Sequence, residues 1–368
     1  MAKFLYIGRF ELPDKEATAN RVVANAKLLR ELGHEVILAG WSDDVPNGKG
    51  WQRVDCYGFE SYEKHKAKSS YEKYRMFEDP SAELELIKKH TPDVLLAYDF
   101  PAVALGKLMK YCKLHNIKCI CDVSEWYTNG NKNPLFRLVR AYDSHLRMRV
   151  LHKKADGLIV IRKYLQSYYS EQNTVLVPPL VDLQDEKWTM DAEQKGEDCR
   201  LVYVGWPSRT KERLDLVVDA VKGLDSVRLD VYGVTKEQYD KIYETSEEPY
   251  ERIAFHGRVS HREALRAVKN ADYSLVIRES NRKNNAGFPS KLAECISCGT
   301  PALITDISNV RDYVGEGKNG YIISIDSLKD AFAKAIASRE MVAVEKDTFD
   351  YHKFTEDVAV FLKGLEIN

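Results

Sequence analysis

The chain has no apolar run that approaches the roughly 20 residues needed to span a bilayer. Its first ten residues, MAKFLYIGRF, lack the apolar core and small-residue cleavage site of a secretion signal. It also lacks net charge: 55 lysines and arginines nearly cancel 56 aspartates and glutamates among 368 residues. A surface-wide polyanion binder is therefore disfavoured, and nucleic acid is not expected as a partner. There is no disulfide framework either. Seven cysteines is an odd number, scattered along the chain, which suits a reducing, cytoplasmic setting. Cys119 and Cys121 alternate along an expected strand, and Cys295 and Cys298 close a helix whose dipole disfavours thiolate there. No second pair completes a zinc site, so all of these read as small buried filler.

What is present is alternation. The apolar share of 44% and charged share of 30% fit a globular protein, and the length favours two domains. Short apolar runs at Phe4 to Ile7, Val36 to Ala39, Val94 to Tyr98, Lys118 to Val123, Leu158 to Ile161 and Val175 to Val177 read as strands. Helical patterns lie between them, including Ala102 to His115. After Pro178 and Pro179 a polar, acidic stretch without period begins, which suits a connector. A second series follows at Leu201 to Val204, Val227 to Tyr232, Ile253 to Phe255, Tyr273 to Ile277, Ala302 to Thr305 and Tyr321 to Ser324. The expected division is 1–180 as a first domain, 181–199 as linker and 200–350 as a second domain. A C-terminal helix over 351–368 is expected to return towards the first domain. This is an α/β architecture of two doubly wound, Rossmann-like domains, whose ligands bind outside the carboxyl ends of the strands. No Gly-x-Gly-x-x-Gly follows the first strand of either domain, which argues against a dehydrogenase.

One stretch, NNAGFPSKLAECISCGTPALIT from Asn284, is built to present a helix N-terminus. Gly287 allows close approach of a ligand, Pro289 suits the first helical position, and free N–H groups near Ser290 favour an anion. That segment, continued through DISNVRDYV, resembles the donor-binding signature of family-four retaining glycosyltransferases, which have the GT-B fold. ATANRVVANAKLLRELGHEVILAGW, HKKADGLIVIRKYL, LVYVGWPSRTKERLDLVVDAV and FHGRVSHREALRAVKNADYSLVIR are similar to four more segments, in the family's order.

The resemblance implies transfer of a hexosyl or N-acetylhexosaminyl group from a nucleotide diphosphate sugar to a glycan or lipid-linked acceptor, in polysaccharide biosynthesis. It implies two domains facing a central cleft and no cofactor beyond the nucleotide sugar co-substrate. No metal is implied, and the chain has no Asp-x-Asp triplet of the kind used in the other main transferase fold. Lys211 matches the loop lysine that pairs with the donor diphosphate. Glu294 matches the glutamate that binds the ribose, although an ion pair with Lys291 is an alternative. Gly205 opens the lysine loop, Gly257 and Arg258 match the loop beside the base, and Gly287, Phe288, Pro289 and Ser290 form the phosphate turn.

Two positions depart from the pattern. Ala286 stands eight residues before Glu294, where the family has a second glutamate, and Trp206 stands where it has an arginine. Arg209 or Arg213 could supply that missing cation. Arg278, Asn281, Asn284 and Asn285 form a polar run that either reaches the donor sugar or is an ordinary turn-rich loop. In the first domain Asp122 and Glu125 end a strand where a base or a hydroxyl-orienting group could stand, and loop capping is the alternative. Gly8, Arg9, Asn20 and Arg21 resemble the acceptor side. Arg137 to Lys154 carries six cations and one acid, Asp143, with Leu138, Tyr142 and Leu146 near one helical face. It is either a peripheral contact for anionic membrane or a solvated helix. A sugar-nucleotide epimerase on the same fold and a non-catalytic nucleotide-sugar binder are the competing functions.

Overall fold

The computed structural model describes residues 1–367 apart from 14, 70, 71, 73–76, 127–133, 194, 195, 210, 247–250 and 339–343, and apart from the side chains of 134–136. The chain forms two compact units. One comprises Met1–Leu180 with Tyr351–Asn368, the other Val181–Asp350.

The first unit is built on an eight-stranded sheet. In chain order its strands are β1 (Lys3–Gly8), β2 (Glu35–Ser42), β3 (Gln52–Cys56), β4 (Phe59–His65), β5 (Val94–Tyr98), β6 (Lys118–Val123), β7 (Gly157–Val160) and β8 (Thr174–Leu176). Their spatial order is β3-β4-β2-β1-β5-β6-β7-β8, parallel except for the β3–β4 hairpin. That hairpin was not expected from the sequence. Tyr57 and Gly58, both at positive φ (51° and 72°), form its two-residue turn, as such hairpin turns require.

Strand direction of travel reverses between β1 and β5, which makes their carboxyl ends a switch point. Gly8 is there because a Cβ would lie 2.4 Å from the Tyr98 carbonyl oxygen. The core is a continuous set of apolar strand residues covered by helices, including Ala17–Glu31 and the C-terminal Thr355–Gly364. Phe361 and Leu365 of that last segment press on Gly157, where a Cβ would meet each at 2.7 Å.

The second unit carries β9 (Cys199–Val204), β10 (Val227–Tyr232), β11 (Ile253–Gly257), β12 (Tyr273–Val276), β13 (Ala302–Thr305) and β14 (Gly320–Ile323). They form one parallel sheet in the order β11-β10-β9-β12-β13-β14, with its switch point between β9 and β12. The stretch 181–199, expected as a free connector, is tied to this unit. The Val181 N–H donates to the Phe349 carbonyl (2.9 Å), and Trp188 is buried. All seven cysteines are buried thiols. Burial pushes the Cys298 thiol up to about 12 and raises Cys295 as well, so neither is poised as a nucleophile. No described helix is long and apolar enough to cross a membrane.

Candidate functional site

The β9–β12 switch point gathers the chemistry. β9 ends at Gly205, with φ 124°, and a Cβ there would sit 2.8 Å from Lys291 Cε and 2.9 Å from Nζ. Gly233, after β10, approaches so closely that a Cβ would lie 2.6 Å from the Gly205 carbonyl oxygen. Its N–H donates to the Gly257 carbonyl at 2.7 Å. Gly205, Gly233 and Gly257 thus form a side-chain-free row across the carboxyl ends of three adjacent strands. Backbone can meet a ligand there without a Cβ in the way.

Behind that row lies a buried ionic cluster that the sequence did not reveal. Glu212 accepts from the Tyr203 hydroxyl (2.8 Å), from Arg278 Nη2 (2.6 Å) and from Lys291 Nζ. Burial alone would raise the Glu212 pKa, but the Lys291 and Arg278 charges outweigh it and hold the carboxyl at about 2. Burial acts the other way on Lys291 and lowers its pKa, with Glu212 partly offsetting the effect. Lys291 Nζ also lies 4.1 Å from the Tyr203 ring centroid, within cation–π range. Arg278 is anchored through its own backbone: its N–H donates to Thr305 Oγ1 (2.9 Å), whose hydroxyl donates to the Arg278 carbonyl (2.6 Å). The Arg278 side chain is 5% exposed, and its Nε has no hydrogen-bond partner among the described residues.

The helix Ser290–Cys298 starts beside this cluster. Pro289 is its N-cap, one position earlier than expected, and Gly299 closes it in the left-handed conformation (φ 81°). Lys291 lies in the first turn, so helix-end N–H groups and a buried cation share one place. Glu294, on the same helix, contacts His261 Nε2 at 3.3 Å. It is not the partner of Lys291, which turns to Glu212. Its side chain is 22% exposed and so remains reachable.

Other expected site residues are placed differently. Lys211 is exposed, with its N–H held by Ser208 Oγ (3.0 Å). Arg258 is also exposed, beside Gly257. Arg209 turns to the Ile242 carbonyl (2.8 Å) and Glu244 (3.1 Å), and Arg213 pairs with Asp215 and Glu279. Both of the arginines expected to stand in for the cation that the resemblance implies are thus engaged with these groups. The Phe288 ring is buried against Tyr313 and Phe349, with centroids at 5.4 and 5.7 Å, which leaves only its backbone for a ligand.

The run expected as an open polar loop contains a short helix, Arg282–Ala286. The Asn281 side chain caps it by accepting from the Asn284 N–H. Asn284 Nδ2 donates to the Glu279 carbonyl (2.8 Å). Asn285 bonds the Ser280 hydroxyl and the Ser308 N–H. These asparagines hold the turn together. Ala286, where the resemblance implies a glutamate, is wholly buried.

In the first unit Asp122 is buried and fully bonded. It accepts from Tyr6 (2.5 Å), from Arg21 through Nη2 (2.6 Å) and Nε (3.0 Å), and from Asn25 (3.3 Å). It is a core ion pair, with no lone pair left to face an acceptor. Arg9 is half exposed near Asp99 (3.9 Å) and over the Trp41 ring. Asn20 is half-buried in the first turn of Ala17–Glu31, and Glu125 is half-buried in the bend after β6. Among the described residues no group of three His, Cys, Asp or Glu is placed to hold a metal ion.

Comparison with known proteins agrees with this layout. Residues 185–343 match the family model described as glycosyl transferases group 1. No curated protein matches the sequence. Among solved structures, sucrose-phosphate synthase from Thermosynechococcus elongatus is similar at TM-score 0.70 and 14% identity, covering 100% of this chain and 99% of that one. HepE from Anabaena, in complex with UDP and glucose, gives 0.65 and 13%, over 99% and 100%. The lipopolysaccharide outer core galactosyltransferase WaaB gives 0.60 and 14%, over 98% and 99%. The α/β fold, two parallel-sheet Rossmann-like units, is the one that these GT-B glycosyltransferases share.

Proposed function

We propose that the chain is a glycosyltransferase that moves a hexosyl or N-acetylhexosaminyl group from a nucleotide diphosphate sugar to a glycan or lipid-linked saccharide, with retention and without a metal. The observation that carries this reading is the β9–β12 switch point. There a row of bare glycines, a helix N-terminus and buried cations meet beside a reachable Glu294. A diphosphate gains negative charge as the bond to the sugar breaks, and fixed cations with helix-end N–H groups lower the cost of that charge. Gly205, Gly287, Pro289 and Ser290 frame the diphosphate, to which the resemblance assigns Lys211 as the cation, Gly257 and Arg258 flank the base, and Glu294 accepts from the ribose hydroxyls. In the same-face mechanism a donor phosphate oxygen takes the acceptor proton, so Ala286 removes a sugar contact and no proton carrier. UDP bound to the Anabaena relative supports a uridine nucleotide as the first donor to try. The lipopolysaccharide role of another relative supports a cell-surface glycan as acceptor.

The acceptor side is proposed to lie at an anionic membrane surface in the cytoplasm. Leu138, Val139 and Tyr142 are exposed on the helix Pro134–Leu146, next to exposed Arg137 and Arg140, with Arg149 exposed just beyond. Apolar side chains flanked by cations suit the boundary of an anionic bilayer. Arg147 is not part of that face, because it is buried in ion pairs with Asp99 and Asp143.

Purified protein incubated with a panel of nucleotide sugars, scored for binding and for sugar release, tests the enzymatic reading. Slow hydrolysis of one donor is expected. Binding with no turnover on any acceptor class favours the non-catalytic binder, and release of an altered nucleotide sugar favours an epimerase.

A further inference from the structure

Resting on the reading that the second unit takes a nucleotide diphosphate, we infer that the cation meeting the diphosphate directly is Lys291. In this account Glu212 is the positioning residue that holds it ready beside Arg278. Sequence resemblance points instead to Lys211 for this task.

Three observations favour Lys291. Lysine side chains are seldom buried without a reason, yet that of Lys291 is 14% exposed while Lys211 stands on the surface. The amine lies where a Cβ at residue 205 would be, so the glycine that opens the loop also makes room for it. It stands in the first turn of Ser290–Cys298, whose free N–H groups attract the same anion.

The charge balance of the cluster gives the mechanism. One carboxylate, Glu212, faces two cations, Lys291 and Arg278. The two cations share one buried acid that bonds them, and Glu294, half-buried on the same helix, acts on Lys291 only through its field, so an arriving anion would be favoured. Arg278 Nε, buried and without a partner among the described residues, is a second donor waiting for such a group. A diphosphate seated over Gly205 would complete the cluster. Glu212 keeps the amine from swinging into solvent in its absence, so little ordering is required when the donor binds.

The test uses calorimetric titration of the full chain with UDP, GDP, ADP and CDP, followed by the nucleoside that matches the tightest ligand. Lys291→Met, which keeps the stem over Tyr203, is expected to weaken the diphosphate about 10- to 100-fold, as for loss of a charge-assisted bond. Nucleoside affinity should stay within about twofold, because the base and ribose contacts are untouched. Lys211→Met should cost clearly less than Lys291→Met. Should Lys291→Met fail to fold, the paired variant E212Q/K291M removes acid and cation together and is read in the same way. Native-like diphosphate affinity in the Lys291 variants overturns the inference, as does equal loss of nucleoside and diphosphate. A full loss in Lys211→Met alone returns the role to Lys211 and leaves the transferase reading standing. Failure of the native chain to bind any nucleoside diphosphate removes the reading itself.

Discussion

The two units solve one problem with the same parts and reach different ends. Each places a tyrosine two residues before the glycine that closes its first strand, Tyr6 before Gly8 and Tyr203 before Gly205. Each buries a carboxylate that accepts from that tyrosine and from an arginine, Asp122 in one and Glu212 in the other. Burial, and then the adjacent carboxylate, push both tyrosines well above the usual phenol range. The difference lies in the count of cations. Asp122 faces one, and Arg21 is itself closed off by the Val177 and Pro178 carbonyls (2.9 and 3.3 Å). Glu212 faces two, one of them at a helix start. A cluster in which one acid bonds one cation holds a fold together, whereas one in which a single acid bonds two cations is suited to wait for an anion.

The largest expected effect breaks the one-cation cluster. Arg21→Met leaves Asp122 buried with no cation and should lower unfolding free energy by about 3–5 kcal/mol in denaturant titration. Lys291→Met leaves Glu212 with Arg278 and should cost about 1 kcal/mol or less. Similar losses at the two sites would erase the distinction between a structural and a waiting cluster.

Acid sharpens the contrast. Glu212 is held at about 2 in the fold, below its ordinary 4.5, by Lys291 and Arg278 against the opposing pull of burial. A depressed carboxyl contributes stability that is complete above about pH 4.5 and lost as pH falls towards about 2. Thermal melts of the native chain should therefore fall through that window. Glu212→Gln should flatten the fall, at lower stability near neutrality because Lys291 and Arg278 lose their acid. An unchanged acid profile in Glu212→Gln would place the titrating group elsewhere.

The smallest effect concerns cations that the first unit keeps on its surface rather than in a pocket. Vesicles with anionic lipid should sediment the chain at low salt and release it as salt rises. Reversal of Arg137, Arg140 and Arg149 to glutamate should abolish sedimentation and leave nucleotide binding intact. Equal sedimentation of native and reversed chains would remove the membrane from the account.

Much of this layout was legible in the sequence, for physical reasons that also mark where it stopped. Parallel strands buried on both faces read as short apolar runs, so twelve strands announced themselves, while the half-exposed β3–β4 hairpin did not. Its signal was Tyr57-Gly58, a turn pair between weakly alternating runs. The Asn281–Asn285 run carries both turn and helix-cap chemistry, and only the fold shows that the side chains cap and brace Arg282–Ala286. Lys291 was legible only as a helix neighbour of Glu294, because its real partner lies 79 residues earlier. Spacing rules report neighbours along one element, and a buried ion pair across elements leaves no such trace. Asp122 shows the reverse error: a carboxylate at a strand end looks catalytic until Arg21, 101 residues away, is seen to hold it.

The central claim is that the switch point of the second unit holds a nucleotide by its diphosphate. Calorimetry of the native chain in chelator, comparing each nucleoside diphosphate with its monophosphate and its nucleoside, tests that most directly. The account predicts that one diphosphate binds, that each phosphate removed weakens it by about tenfold or more, and that chelator does not matter. Affinity that is the same for nucleoside and diphosphate, or no binding by any of them, would contradict it.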